Sequence, residues 1–298
     1  MSTATLRTVL GNYPHTQALK SAGLPHDVVA FDFVEVAPVH KAFAPMVREA
    51  AYDLCELAIV TALQAIAYGA PIVLLPAVVA SRFQRGCLVG WEPNGIPRPD
   101  ALAGKRIAVR AYTQTTGMWV RAHLHEDTGV DTADIHWVTQ DPAHVADYDD
   151  PPYVTHVARD KSLADLLREG TVDAAIFGND LPSESGFQPV LADASARDRA
   201  WWATHGFMPI NHMVVASQQA CDASPGAVRA AYQLMKDAAE RLDRATDAPV
   251  PYRFGFTALR GPVAYTIEAC QRQGLLPRAL HVDEVFAPAM DLLGHDGD

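Results

Sequence analysis

Three residues in this chain stand where acid–base chemistry is possible. His212 lies in Phe207-Met-Pro-Ile-Asn-His-Met-Val-Val, at the edge of an apolar run, and His15 lies in Asn12-Tyr-Pro-His-Thr, just after one. An imidazole titrates near neutral pH and can pass a proton to a reacting atom. A lone histidine beside an apolar run is also an ordinary core residue, and one in a polar loop is ordinary surface, so both readings stand for each. Glu56 is the single acid in Leu54-Cys-Glu-Leu-Ala. A carboxylate inside such a run needs a partner, and Arg82, at the end of a neighbouring strand, is the expected one. The alternative is an edge strand with Glu56 facing solvent.

Two segments could hold an anion. In Val109-Arg-Ala-Tyr-Thr-Gln-Thr-Thr-Gly-Met-Trp-Val-Arg, a strand signal ends at Arg110. A polar loop with Tyr112, Gln114, Thr115 and Thr116 then enters a helix at Gly117 that carries Trp119 and Arg121. The first N–H groups of a helix lack internal partners and sit at the positive end of its dipole. With hydroxyls and arginines nearby they suit a carboxylate or phosphate. An ordinary threonine N-cap explains the same residues. The second segment, Ala80-Ser-Arg-Phe-Gln-Arg-Gly, follows a buried strand, and ligands of parallel sheets gather beyond such strand ends. Arg82 and Arg85 there offer planar forks that match a carboxylate, or are simply two solvated loop arginines.

Other chemistries find little support. His123 and His125 are two apart in a predicted helix and so diverge, which leaves no expectation of a metal site. There is no nucleophile elbow, no glycine-rich phosphate loop and no dinucleotide fingerprint.

The elements that would position these residues alternate between strand and helix. Residues 6–10, 28–36, 54–60 and 72–79 read as strands, with helices at 16–22, where Gly23 would stop the helix, and at 42–52. Residues 91–100 are loop by composition. A second series follows, with strands at 106–110, 135–138 and 174–177 and helices at 117–127 and 162–169. The last helix opens with Ser162 and Asp165 at capping-box spacing. Residues 213–217 form one more strand. Ser224-Pro225 then starts a helix, and another is expected from Pro262 to Gln273. Strands separated by helices imply mainly parallel sheets. The order suits an α/β protein of two lobes joined by two crossovers near 88–99 and 209–217: residues 1–90 and 215–298 in one lobe, 91–214 in the other. A single doubly wound sheet is the alternative.

Composition narrows the partners. The 298 residues carry 24 Lys and Arg against 35 Asp and Glu, a net charge of −11. Such a surface repels nucleic acid, and an anionic ligand would need a local basic cluster. The most apolar stretch, residues 70–80, is broken by Pro71 and Pro76 and is about half the length of a membrane span. The start, Met1-Ser-Thr-Ala-Thr-Leu-Arg, has no basic stretch leading into an apolar core, so a soluble cytoplasmic protein is expected. The scattered Cys55, Cys87, Cys221 and Cys270 are expected to be reduced and buried.

Several motifs, in order along the chain, resemble the 4,5-dihydroxyphthalate decarboxylase family. They are Gly11-Asn-Tyr-Pro-His-Thr, Cys55-Glu56, Ser81-Arg-Phe-Gln-Arg85, Gly104-Lys-Arg-Ile-Ala-Val, the segment from Tyr112 to Arg121, Pro209-Ile-Asn-His212 and Val285-Phe-Ala-Pro288. The resemblance implies a periplasmic-binding-protein-like type II fold, with a ligand between the lobes. It also implies a decarboxylase of aromatic acids that uses no organic cofactor. One segment departs from the pattern: Gly178-Asn-Asp-Leu-Pro-Ser-Glu-Ser, expected on the second lobe's side of the cleft, is acidic, and it puts the substrate in question. On this reading the substrate is a hydroxylated aromatic mono- or dicarboxylate. Arg82, Arg85, Tyr112, Gln114, Thr115, Thr116, Trp119, Arg121 and Asn179 are the candidate binding residues. His212 or His15 is the proton donor, with Glu56 orienting it or accepting from a ring hydroxyl. The rival reading is a cytoplasmic solute-binding or sensor protein for a small carboxylate on the same fold. A pyrimidine-synthesis relative would call for a lysine or histidine feeding pyridoxal-type chemistry, and none of the five lysines falls in these segments. Assembly into a homo-oligomer is left open.

Overall fold

The computed structural model describes residues 3–21, 27–242 and 248–298. The first lobe opens with β1 (Ala4–Val9), α1 (Pro14–Ser21), β2 (Val29–Phe33), α2 (Phe43–Glu49), β3 (Leu54–Ala58), α3 (Ile59–Ala67) and β4 (Ile72–Ser81). The second lobe contains β5 (Leu88–Trp91), β6 (Arg106–Val109), α4 (Thr115–Thr128), β7 (His136–Thr139), β8 (Val154–His156), α5 (Leu163–Arg168), β9 (Ala174–Ile176), β10 (Phe187–Pro189) and α6 (Ala194–His205). The chain returns through β11 (Ile210–Ser217) to α7 (Gln218–Ala223), α8 (Pro225–Glu240), β12 (Arg253–Phe254), α9 (Phe256–Arg272) and α10 (Val282–Leu293).

The strands make two six-stranded sheets, ordered β12-β4-β11-β3-β1-β2 and β10-β5-β9-β6-β7-β8. Both are mixed. In the first, β3 and β2 run parallel to β1, whereas β11 is antiparallel to β3 and β4, and β12 to β4. In the second, β6, β7, β8 and β9 pair in parallel, and β5 is antiparallel to β9 and β10. The expected mainly parallel pattern is therefore interrupted by β5, β11 and β12. β5 and β11 are the first strands the chain makes on entering each lobe from the other, and each runs against its neighbours. β5 belongs wholly to the second sheet and β11 wholly to the first.

β3 and β4 are apolar along nearly their whole length because helices cover both faces of the first sheet. The four cysteines are free and buried. The expected stop of α1 at Gly23 lies outside the described residues. No described helix is long and apolar enough to cross a membrane. One apolar cluster runs through both lobes, from Leu57 and Ile59 to Ile107, Trp119 and Trp137 and on to Val263.

Candidate functional site

The site is built around a pair made by strand register. Ala58 of β3 lies opposite His212 of β11, and Glu56 opposite Val214, so Glu56 and His212 are diagonal neighbours on one face. Long side chains bridge that diagonal, and His212 Nδ1 lies 2.7 Å from Glu56 Oε1. The pairing of β11 with β4 shifts register at His212. A bulge of this kind re-aims a side chain. Glu56 is wholly buried, while the His212 side chain keeps 21% exposure. Arg82, the expected partner of Glu56, is not used.

The loop after β1 completes the Glu56 environment. The Thr16 hydroxyl accepts from the Tyr13 N–H (2.8 Å) and donates to the Gly11 carbonyl (2.6 Å). That clamp turns the Gly11 N–H onto Glu56 Oε2, and the Tyr13 hydroxyl donates to Oε1 at 2.9 Å. A Cβ at residue 11 would come within 2.8 Å of the Tyr13 ring, so glycine there lets the phenol stay on Glu56. Burial pushes the Glu56 carboxyl up, but the hydrogen bond and charge of His212, with the Gly11 and Tyr13 bonds, outweigh it. Glu56 is held below its usual range. Burial and the neighbouring Glu56 push the Tyr13 phenol up, so Tyr13 stays protonated.

Arg82 reaches across to the second lobe. Its Nη1 donates to the Gly178 carbonyl at 3.1 Å and its Nη2 to Thr116 Oγ1 at 2.9 Å. Thr115, the first residue of α4, accepts from the Val60 N–H at 3.4 Å, so the starts of α3 and α4 meet. Gln114 precedes α4 with its side-chain oxygen buried and without a partner. Asn211, beside His212, accepts from Gln84 Nε2 at 2.9 Å.

A second basic group faces the same region. Phe43 stands between two imidazoles, edge-on to His212 (5.3 Å) and to His144 (5.6 Å). His144 is held by Thr61 at 2.9 Å, and Arg110 lies 3.3 Å from His40 Nε2 and 3.5 Å from Asp141. Burial, then Arg110 and His40, lowers His144 to about 4. Burial, then Arg110, also lowers His40. Both imidazoles are therefore neutral at pH 7. Arg82 and Arg110 supply the local positive charge that an anionic ligand needs on a protein of net charge −11. Among the described residues no cluster of His, Cys, Asp or Glu could hold a metal ion.

Other candidate residues are engaged inside the protein. Arg85 is buried against Asp127 and Asp198, both at 2.9 Å, rather than offered to a ligand. Arg121 is buried over the Tyr112 ring, donating to Gln273 Oε1 (2.6 Å) and to the Tyr112 carbonyl (2.8 Å). The Tyr112 hydroxyl donates to the Gln273 carbonyl at 3.0 Å. Trp119 Nε1 donates to the Ile210 carbonyl at 2.7 Å, which fixes the start of β11. Asn179 is exposed. In its acidic segment, Asp180 accepts from the Gly178 N–H and Glu184 pairs with Arg168, so both charges have local partners. His15 lies in the first turn of α1, buried between Tyr13 and Tyr252, and burial lowers it to about 4. Sequence reasoning missed Tyr13, Phe43, His40 and His144. Tyr13 stood in a quoted motif, but nothing local marked the other three.

No protein-family model matches the chain. It is 26% identical to a 4,5-dihydroxyphthalate decarboxylase of Comamonas testosteroni over 331 aligned positions, covering 97% of this chain and 98% of that protein. It is 30% identical to a 4,5-dihydroxyphthalate decarboxylase of Pseudomonas putida over 139 positions, covering 46% of this chain and 54% of that one. The resemblance carried by the motifs thus extends along the chain. Among solved structures, the alkanesulfonate-binding protein SsuA of Xanthomonas axonopodis pv. citri, bound to MOPS, aligns with TM-score 0.59 and 13% identity, covering 96% of this chain and 98% of its own. The desulfurization enzyme DszB aligns with TM-score 0.57 and 16% identity, covering 98% of each chain. A Candida albicans protein described as having the generic periplasmic binding protein fold aligns with TM-score 0.51 and 14% identity, covering 97% of this chain and 95% of its own. The fold is the two-lobed, periplasmic-binding-protein-like one.

Proposed function

We propose that this protein is a carboxy-lyase that removes CO2, without oxidation and without a cofactor, from a hydroxylated aromatic mono- or dicarboxylic acid such as 4,5-dihydroxyphthalate. The observation that carries the reading is the His212–Glu56 pair at 2.7 Å. A buried carboxylate fixes one imidazole nitrogen, leaving Nε2 for proton delivery. The decarboxylase names of the relatives support the same reaction class.

In the proposed mechanism Arg82 and Thr116 hold one carboxylate and Arg110 takes a second where the substrate has one. The hydroxyl para to the leaving group gives up its proton and pushes electrons into the ring. His212 donates its proton to the ring carbon that bears the carboxylate, giving a dienone. The C–C bond then breaks, CO2 leaves, and its bonding pair restores the aromatic ring as a phenolate. Neutral His40 and His144 are the acceptors available to a ring hydroxyl. The imidazole that took the hydroxyl proton returns it to the phenolate and His212 is reprotonated from solvent, so one proton is consumed for each CO2 released.

A thermal-shift screen against aromatic mono- and dicarboxylates, with CO2 measured for each hit, tests the proposal. His212→Ala is expected to lower turnover by at least about 100-fold, the scale of general acid catalysis, while substrate still stabilises the protein. Wild-type turnover in that variant would remove His212 from the mechanism. The likeness of fold to a sulfonate-binding protein favours a second reading, a binding or sensor protein for a small carboxylate. Stabilisation by many acids without CO2 from any of them would support it.

A further inference from the structure

β7 and β8 are parallel neighbours, with Trp137 beside Val154 and Thr139 beside His156. Parallel neighbours need a crossover connection, usually a helix, and α4 makes the one between β6 and β7. Between β7 and β8 there is no helix. Residues 140–153 run without helix or strand, and irregular connections of that length in a compact domain are commonly functional.

The segment is fastened at its start to its own lobe, where the Gln140 and Asp141 N–H groups donate to the Arg110 carbonyl (3.1 and 2.7 Å). Its middle lies against the first lobe. Exposed Arg48 of α2 donates through Nε to the His144 carbonyl (2.7 Å) and through Nη2 to the Ala143 carbonyl (3.0 Å). Val145 and Tyr148 are buried, and the Tyr148 hydroxyl donates at 3.4 Å to the carbonyl of Gly274, just past α9. The backbone that carries the His144 imidazole is thus held by elements of the other lobe.

His144 Nδ1 meets Thr61 Oγ1 at 2.9 Å, and its ring shares Phe43 with that of His212. His144 Nε2 makes no hydrogen bond among the described residues and is not sealed from solvent. A neutral imidazole has one acceptor nitrogen. His40 shares its Nε2 with Arg110 at 3.3 Å, so His144 is the freer of the two imidazoles to meet a ring hydroxyl.

We propose that residues 140–153 are the specificity element of the site: His144 bonds a hydroxyl of the ligand ring, and Arg48 is the positioning residue that holds His144 there. This role presupposes the aromatic-acid ligand proposed above, though not its decarboxylation. A hydroxyl can donate to Nε2 or accept from it, so either tautomer of His144 serves. Phe43 separates the two imidazoles, so the hydroxyl that His144 meets is one remote from the carbon that His212 protonates.

The test is calorimetric titration at pH 7 with two pairs of acids, benzoate with 4-hydroxybenzoate and phthalate with 4,5-dihydroxyphthalate. Any acid that the wild-type protein turns over is titrated in the His212→Ala background. In at least one pair the hydroxylated member is expected to bind about tenfold more tightly, the value of one net hydrogen bond. His144→Phe should remove that preference and leave the affinity of the plain acid unchanged. Arg48→Ala should reduce the preference about threefold, and Arg48→Lys, which keeps a donor for the carbonyls, should restore part of it. A merely structural role would weaken both members of a pair alike. If His144→Phe does not fold, Arg48→Ala, at an exposed position, carries the test. A preference that survives these variants, equal affinities within both pairs, or no binding of any of the four acids would overturn the proposal. CO2 is measured separately. A preference lost in His144→Phe with no CO2 from any acid would uphold the role of His144 and overturn the decarboxylase reading, and CO2 with an unaltered preference would do the reverse.

Discussion

At the scale of single residues, acid is expected to act on this protein in two stages. Burial holds His15 and His144 near 4, against a usual 6.5, and also lowers His123 and His40. As pH falls through 6.5 the unfolded chain takes up protons that the folded imidazoles refuse, so the unfolded state gains. The stability tied to these histidines is complete above 6.5 and is lost progressively toward 4. Glu56 behaves differently. Its folded value lies below its usual 4.5, so its contribution is present above 4.5 and disappears only as pH falls through the folded value. Urea midpoints measured from pH 7.5 to 3.5 should therefore begin to fall below about 6.5 and fall again below about 4.5. His15→Phe should reduce the first stage and leave the second. A midpoint that stays level from pH 7 to 5 would contradict the assignment of neutral buried imidazoles. Glu56 and His212 were each legible in the sequence as unusual residues in apolar runs. Their pairing was not, because it depends on a register between strands more than 150 positions apart in the chain.

At the scale of elements, the sequence is readable where a local rule decides and silent where burial is complete. The Ser162–Asp165 capping box forms as its spacing predicts. The start of α3 was hidden, because residues 54–67 are mostly apolar and buried nearly throughout, and offer no period to separate strand from helix. α9 begins six residues before Pro262, which spacing alone marks as a first-turn proline. A proline inside a helix leaves the carbonyl four residues back without its N–H partner, and Arg253 Nη1 contacts that carbonyl, on Ala258, at 3.4 Å. The end of α9 has a structural task in the second lobe. Gln273 accepts from Arg121 through its side chain, donates to the Met118 carbonyl at 3.0 Å, and receives the Tyr112 hydroxyl on its own carbonyl. These bonds brace the polar loop that carries Gln114, Thr115 and Thr116. Gln273→Ala should destabilise the protein by about 1–3 kcal/mol, since it leaves the buried Arg121 Nε–H without its partner and removes a second donor from the Met118 carbonyl. Glu268→Ala, exposed on the same helix, should stay within about 0.5 kcal/mol of wild type. Denaturant melts of the two variants decide the matter, and equal stabilities would mean that the brace contributes nothing.

At the scale of the whole molecule, the question is whether the two lobes behave as two bodies. Besides the two chain crossings, they are joined on opposite flanks of the site. On one flank α9 of the first lobe inserts Tyr265 among Trp119, Trp201, His205 and Phe207, with its hydroxyl on Glu126. Glu126 also accepts from Trp201 Nε1 at 3.1 Å, and although burial pushes it up, His123 and Tyr265 hold it down to about 2. On the other flank Arg48 donates to the carbonyls of Ala143 and His144, while Thr61 holds the His144 ring. Between them, Arg82 bonds to Gly178 and Thr116. Opening the lobes widely would break all of these at once and expose the apolar cluster that runs through both. The molecule should therefore unfold as one unit. The tryptophans make this measurable, because all five (Trp91, Trp119, Trp137, Trp201 and Trp202) lie in the second lobe, whereas helix is spread over both. Tryptophan fluorescence and far-ultraviolet circular dichroism should give the same urea midpoint and slope. A fluorescence transition displaced from the dichroism transition would mean that the second lobe melts alone, and that the contacts of Tyr265 and Gln273 do not couple the halves.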